Sequence, residues 1–431
     1  MAAAALHAPP QALGWRGGLA YGSLAAPLAF VSLPLYVNLP YHYATVLGLP
    51  LPALGAVMLG VRALDAFIDP ALGRLADRLL RRGTGPAWRA MAVGSALLAL
   101  AFAALWQPPW REAARATAWL AATLLACTLA YSTVGILHQS WGTRWGGGPA
   151  LRARVAGWRE GGTLAGVLLA AVLPAWLGWP ATSLALAVLL ALGLAGLYRL
   201  QAPVLTPVPA AAAEPTGGPS AWRQPAFRRL LAVFMLNGIA NAVPATLLPF
   251  FIADRLEAPA WQAPLLLAYF GAAVIGLPAW VRAAGRWGVA PTWRAGMLAS
   301  VLAFAATPWL AAGDGAAFAL VCLCSGLALG ADLALPGALL TGVIHRGGAG
   351  GRDEGAYLGW WTCATKLNLA LAAGLALPLL AAAGYRSGTS DAAGLQALAW
   401  AYGGLPCLLK LAAAAALWRA ERRHPDWKDR E

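Results

Sequence analysis

Charged side chains are scarce in this chain of 431 residues: Asp, Glu, Lys and Arg make up 11% of it, where a soluble domain carries roughly a quarter. With 60% hydrophobic residues, that shortage excludes a soluble globular domain and leaves an integral membrane protein. Acid is the rarer charge, 17 Asp and Glu against 31 Lys and Arg, for a net charge of +14. The arginines are not gathered into a basic domain with interleaved aromatics, so no nucleic-acid partner is expected. The five cysteines, Cys127, Cys322, Cys324, Cys363 and Cys407, all lie in apolar runs and read as small hydrophobes, not as disulfides or metal ligands. Enzyme chemistry has no foothold either: there is no Cys/His metal spacing, no Gly-x-Ser-x-Gly and no clustered nucleophile and base. Residues 1–16 lack a basic segment followed by an apolar core and a cleavage site, so no cleaved signal peptide is expected.

What the chain has in abundance is apolar runs of about 20 residues, each long enough as a helix to cross a hydrocarbon core of about 30 Å. Twelve are expected, starting near Gly17, Leu49, Trp88, Arg115, Ala153, Pro180, Arg229, Ala260, Trp293, Ala316, Tyr357 and Ala393. Between the sixth and seventh, residues 201–224 turn to Pro, Gly and Ala, a composition that reads as a linker. The chain thus divides into an N-terminal half (1–200), the linker (201–224), a C-terminal half (225–419) and a charged tail (420–431). Pro70-Ala71-x-x-Arg74-x-Ala76-x-Arg78, followed by Trp88-Arg89-Ala90-Met91, recurs as Pro278-Ala279-x-x-Arg282-x-Ala284-x-Arg286, followed by Trp293-Arg294-Ala295-x-Met297. Each copy sits between the second and third span of its half, which favours two related six-helix halves. With the start inside, roughly 24 of the 31 Lys and Arg fall on the cytoplasmic side, so both termini are expected there.

The second span carries the organising stretch, Arg62 to Arg78. Charge near the bilayer centre costs at least about 2.5–3.5 kcal/mol per residue, so Arg62, Asp65 and Asp69 are unlikely to face lipid. Their spacing of three and four places them on one helical face, pointing inward. Two carboxylates there read as a cation or proton site, the alternative being a structural ion pair with Arg62. Only three lysines occur, so intramembrane Lys366 suggests a compact charge able to pair with these acids, whereas Lys410 reads as a side chain snorkelling to the interface. The fourth span ends in a polar run containing Tyr131, Ser132, His138 and Gln139, one face of which must line something wet. His138 and Gln139 read as a gate or substrate contact, or as a satisfied helix end. Asn237 and Asn241 line a cavity or bond across helices; Asp332 is a third polar site or the partner of a base in its half. Trp361, with Thr365 one turn later, stacks on a substrate ring or simply packs.

The organising stretch resembles the second-helix signature R-x-x-D-A-x-x-D-P-x-x-G-x-x-x-D of the glycoside-pentoside-hexuronide:cation symporters (melibiose permease-like) of the major facilitator superfamily, matched at Arg62, Asp65, Ala66, Asp69, Pro70, Gly73 and Asp77. Tyr21-Gly22 through Gly48-Leu49, Arg159, Glu354 and Lys366 fall in line with the same family. The resemblance implies an all-α major facilitator fold of twelve membrane helices in two pseudo-symmetric halves. It also implies a cation site at Asp65, Asp69 and Ser132 and a cavity arginine at Arg159. The two acids with which that permease holds its sugar are replaced here by Ala29 and Gly135. Carboxylates accept paired bonds from adjacent sugar hydroxyls, so a galactoside is not the expected substrate.

The function expected is symport of a small polar or anionic organic solute with Na+ or H+, by alternating access. Coupling is assigned to Asp65, Asp69, Ser132 and Lys366, with Na+ as the one metal ion considered, at Asp65 and Asp69. The solute is assigned to Arg62, Arg159, Tyr131, His138, Gln139, Asn237, Asn241, Asp332, Trp361 and Thr365. A carrier of lysophospholipids or other amphiphiles is the alternative; a membrane enzyme and a transport-dead sensor are weaker ones. No cofactor beyond the coupling ion is expected, and a monomer in the lipid bilayer of the cell (inner or plasma) membrane is.

Overall fold

A computed structural model describes residues 14–143, 149–200, 221–346, 354–389, 391–424 and 427. Among them every regular element is helical. In hydrocarbon an unpaired backbone group has no water to turn to, so a spanning segment must satisfy its own amides, and the helix does so within one segment.

The first span is assembled from α1 (Trp15–Gly22), α2 (Ala25–Leu33), a π turn (Pro34–Asn38) and α3 (Leu39–Thr45). Proline lacks an amide hydrogen, and Pro27, Pro34 and Pro40 punctuate this span. Three single helices follow: α4 (Leu51–Arg81), α5 (Thr84–Trp106) and α6 (Ala113–Thr143). The expected fifth and sixth spans lie within α7 (Pro149–Arg199), two helices that meet at non-helical Gly178 with φ of +70°. Of the eleven long apolar stretches among the described residues, 157–199 is therefore two spans, the fifth and sixth expected. L-residues with a Cβ rarely adopt that φ, so a single glycine stands in for a loop.

The second half contains α8 (Pro225–Phe250), extended by a π turn (Phe251–Arg255), then α9 (Gln262–Trp287), α10 (Val289–Phe304), α11 (Gly315–Arg346) and α12 (Glu354–Ala382). Its last span is α13 (Ala392–Ala399), a π turn (Trp400–Gly404) and α14 (Leu405–Arg423). The sequence repeat is visible in the backbone: α4 turns into α5 at Gly83 (φ +117°), and α9 into α10 at Gly288 (φ +88°). The tryptophan five residues after each glycine bonds to a later helix of its own half, Trp88 to the Leu194 carbonyl and Trp293 to Asp332.

Two compact units are present. The first gathers the described parts of Met1–Leu35 and Phe67–Pro209, where α7 packs along α1, α2 and α5, and α5 along α6. The second gathers Tyr36–Ala66 and the described parts of Ala210–Glu431, so that by contact residues 36–66 group with the C-terminal half and not with the N-terminal half that contains them in sequence. The reason is close packing of α4 on α12. A Cβ built at Gly374 would lie 2.8 Å from Leu59 Cβ, and one at Gly55 2.9 Å from Pro378 Cδ. Most of the expected linker, 201–220, and of the tail, 425–426 and 428–431, lies outside the described residues.

Candidate functional site

Two charged clusters lie within the second unit. In the first, α4 and α12 bring Lys366 Nζ to 3.0 Å from Asp65 Oδ2, with the Asp65 side chain 1% exposed and the Lys366 side chain 16%. One turn before Asp65, Arg62 is buried and lays its guanidinium over the Tyr36 ring, 4.0 Å from the centroid. That contact gives a desolvated cation a favourable face. Asp69 follows Asp65 by one turn of the same helix and is partly buried. The charges of span 2 are therefore turned inward, as their spacing predicts.

The second cluster joins α8, α10, α11 and α14 around one carboxylate. Asp332 accepts from Lys410 Nζ at 2.8 Å, Asn237 Nδ2 at 2.9 Å, Asn241 Nδ2 at 3.0 Å and Trp293 Nε1 at 2.8 Å. Lys410 Nζ also donates to Asn237 Oδ1 at 3.0 Å. The Lys410 and Asp332 side chains are each 6% exposed. The snorkelling expected of Lys410 is thus corrected: its ammonium turns into the bundle because a buried carboxylate waits there. Four donors fill the lone-pair positions of Asp332, so the cluster is a satisfied, internally neutral network.

A cleft reaches this cluster. Asn241, Asp332 and Lys410 form its polar end, and Leu248, Leu265, Phe270, Phe304 and Leu329 are among its apolar walls. Tyr269, Tyr402, Ser300, Cys322 and Cys407 also line it.

The remaining candidates are more scattered. In the first unit His138 is stacked on Tyr21, 4.4 Å between centroids, and its Nε2 lies 2.9 Å from the Tyr21 carbonyl oxygen. Tyr21 Oη donates to the His138 carbonyl at 3.2 Å. His138 is 2% exposed, so the structure favours the satisfied histidine over the substrate contact. Arg159 donates to Glu160 at 2.8 Å and is partly exposed, with its charge acting on both Tyr21 and His138. Tyr131 is partly buried, Gln139 exposed and Ser132 buried on α6, in the same unit as Asp69. Trp361 stacks on Phe234 at 3.8 Å and Thr365 donates to the Trp361 carbonyl, so both are engaged in packing and helix bonding. Glu354 and Asp77 have no described side chains. No group of three or more His, Cys, Asp and Glu suited to a metal occurs among the described residues.

A long helical membrane bundle with a sequence repeat, buried intramembrane charge and a cleft at that charge defines a class, the solute carriers of the major facilitator fold. The fold is shared, at low identity, with a bacterial homologue of the human lysosomal transporter Spinster (TM-score 0.70, 14% identity, 96% of this chain and 99% of that one). It is shared equally with the nucleoside transporter NupG (TM-score 0.66, 15% identity, 93% and 98%). The profile of the MFS/sugar transport protein family matches residues 19–421, and the chain belongs to that family. Among curated relatives, the inner membrane symporter YicJ of Escherichia coli (strain K12) is 29% identical over 157 residues, 36% of this chain and 33% of the symporter, so the chain matches about a third of that relative's length. The protein is therefore a multi-pass membrane transporter of the major facilitator superfamily.

Proposed function

We propose that the protein is a cation-coupled symporter that carries a small polar or anionic organic solute with Na+ or H+ by alternating access. The observation that carries the reading is the buried Asp65–Lys366 pair, 3.0 Å apart, with Asp69 one turn further along α4. A carboxylate at membrane depth is costly unless a positive charge joins it, and at Asp65 that charge is supplied by Lys366. An ion arriving at Asp65 and Asp69 competes with Lys366, loosening the α4–α12 contact that Gly55 and Gly374 make close. Binding to one conformation in preference to another is what shifts the population between them. The same reading places the protein as a monomer in the cell membrane, with both termini cytoplasmic and no cofactor beyond the coupling ion.

Purified protein is tested by thermal shift against Na+, Li+ and pH, because a ligand stabilises by RT ln(1 + [L]/Kd). The parent responds to one of them, and Asp65→Asn and Asp69→Asn do not. A parent-like response in both variants would place the ion elsewhere and sink the assignment.

A further inference from the structure

We infer that the cleft inside the second unit is a binding site for an uncharged, ring-bearing amphiphile, mostly apolar with one compact hydrogen-bonding end. Three observations carry this. The fixed charges at its polar end cancel, because Asp332 and Lys410 pair with each other at 2.8 Å. Asp332 already accepts from four donors, so neither a cation nor a set of sugar hydroxyls finds an open carboxylate there. What the end offers is neutral hydrogen bonding: the Asn241 amide and the third Lys410 N–H, with Tyr269 within electrostatic range of Asp332. An anion at Lys410 would also meet the Asp332 carboxylate beside it.

The walls decide the rest of the molecule. Tyr269, Phe270, Phe304 and Tyr402 set four aromatic rings around leucine side chains, a lining that stacks a flat ring and solvates little else. A hexose carries five hydroxyls, and each one buried without a partner costs about 1–3 kcal/mol. The occupant is therefore an amphiphile and not a polyol. This occupant is not the small polar or anionic solute of the symport proposed above, and the cleft stands as a binding site independently of that reading.

The chain carries its own reporters, since Cys322 and Cys407 line the cleft while exposed Cys324 does not. The probes are 1-naphthol, its anionic analogue 1-naphthoate and glucose, each tested for slowing maleimide alkylation of the native thiols, read residue by residue in a mass spectrometer. At ten times its Kd, 1-naphthol lowers the free fraction, and so the alkylation rate at Cys322 and Cys407, by about elevenfold. Cys324 is unaffected, and naphthoate and glucose protect nothing. Ala245→Phe, which fills the cleft from α8 one turn beyond Asn241, abolishes the protection. Asp65→Asn retains it, so a parent-like ion response in Asp65→Asn and Asp69→Asn with intact thiol protection marks failure of the coupling reading alone. Equal protection by naphthoate or glucose, equal slowing at Cys324, or protection that survives Ala245→Phe overturns the proposal.

Discussion

The Asp332–Lys410 pair permits a quantitative test, because each partner is buried and the donors around it are known. In Asp332→Asn one acceptor oxygen becomes an NH2 group facing donors, and Lys410 keeps a single acceptor, Asn237 Oδ1 at 3.0 Å. Breaking a buried pair from one side costs about 3–5 kcal/mol, since a charge is left uncompensated. Lys410→Met does the same from the other side, leaving the Asp332 carboxylate with three neutral donors. If the two costs were independent they would add to about 6–10 kcal/mol, which few folded proteins survive. The double variant removes both charges together, and replacing a buried pair is commonly close to neutral, so it recovers at least about 3 kcal/mol relative to that sum. Unfolding free energies from mixed-micelle denaturant titrations of the parent, both singles and the double complete the cycle. A double variant as damaged as the sum of the singles would refute the reasoning, for it would mean that the two charges do not compensate each other.

Other outcomes follow from the same packing. Gly178→Val forces a branched side chain into φ of +70° and ψ of 172°, a region essentially restricted to glycine, and is expected to cost about 1–3 kcal/mol, lowering the yield of folded protein in a size-exclusion assay. Gly374→Leu pushes α12 off α4 at Leu59 and lowers transport more than it lowers folded yield, measured as uptake per folded molecule in vesicles. Tyr385, between the last two spans, donates to Asp254, and burial with that carboxylate beside it raises its pKa above the ordinary tyrosine value of 10.0. A group whose folded pKa is raised gives stability that is complete below its unfolded pKa and lost as pH climbs through the folded one. The deficit of Tyr385→Phe, about 1.5–3 kcal/mol for a bond to a charged acceptor, is therefore constant from neutral pH to about 10 and shrinks only above it. A deficit that already shrinks between pH 7 and 9 would contradict the assignment.

Much of the architecture was legible in the sequence because hydropathy and backbone satisfaction act locally. The spans, the repeat around Pro70 and Pro278 and the inward face of Arg62, Asp65 and Asp69 needed no knowledge of neighbours. Lys366 as a partner of Asp65 was legible too, because lysine is rare here. The break between the fifth and sixth spans at Gly178 was legible as well, Gly178-Trp-Pro180 being a local signal of a tight turn. Lys410 was not. A lysine in an apolar span suggested snorkelling, but its fate is set by Asp332, 78 positions away in sequence. Asn237 and Asn241 are likewise drawn to that carboxylate from 95 and 91 positions away. Apolar helices pack with little regard to which residue meets which, so such meetings are settled by tertiary geometry that no short window contains.

The cancellation of charge at Asp332 and Lys410 has an energetic corollary for uphill work. Were the uncharged occupant of that cleft to travel with one cation, the membrane voltage would act on that cation alone. Each 100 mV then contributes about 2.3 kcal/mol, enough to hold the passenger about fiftyfold more concentrated on the negative side before any ion gradient is counted.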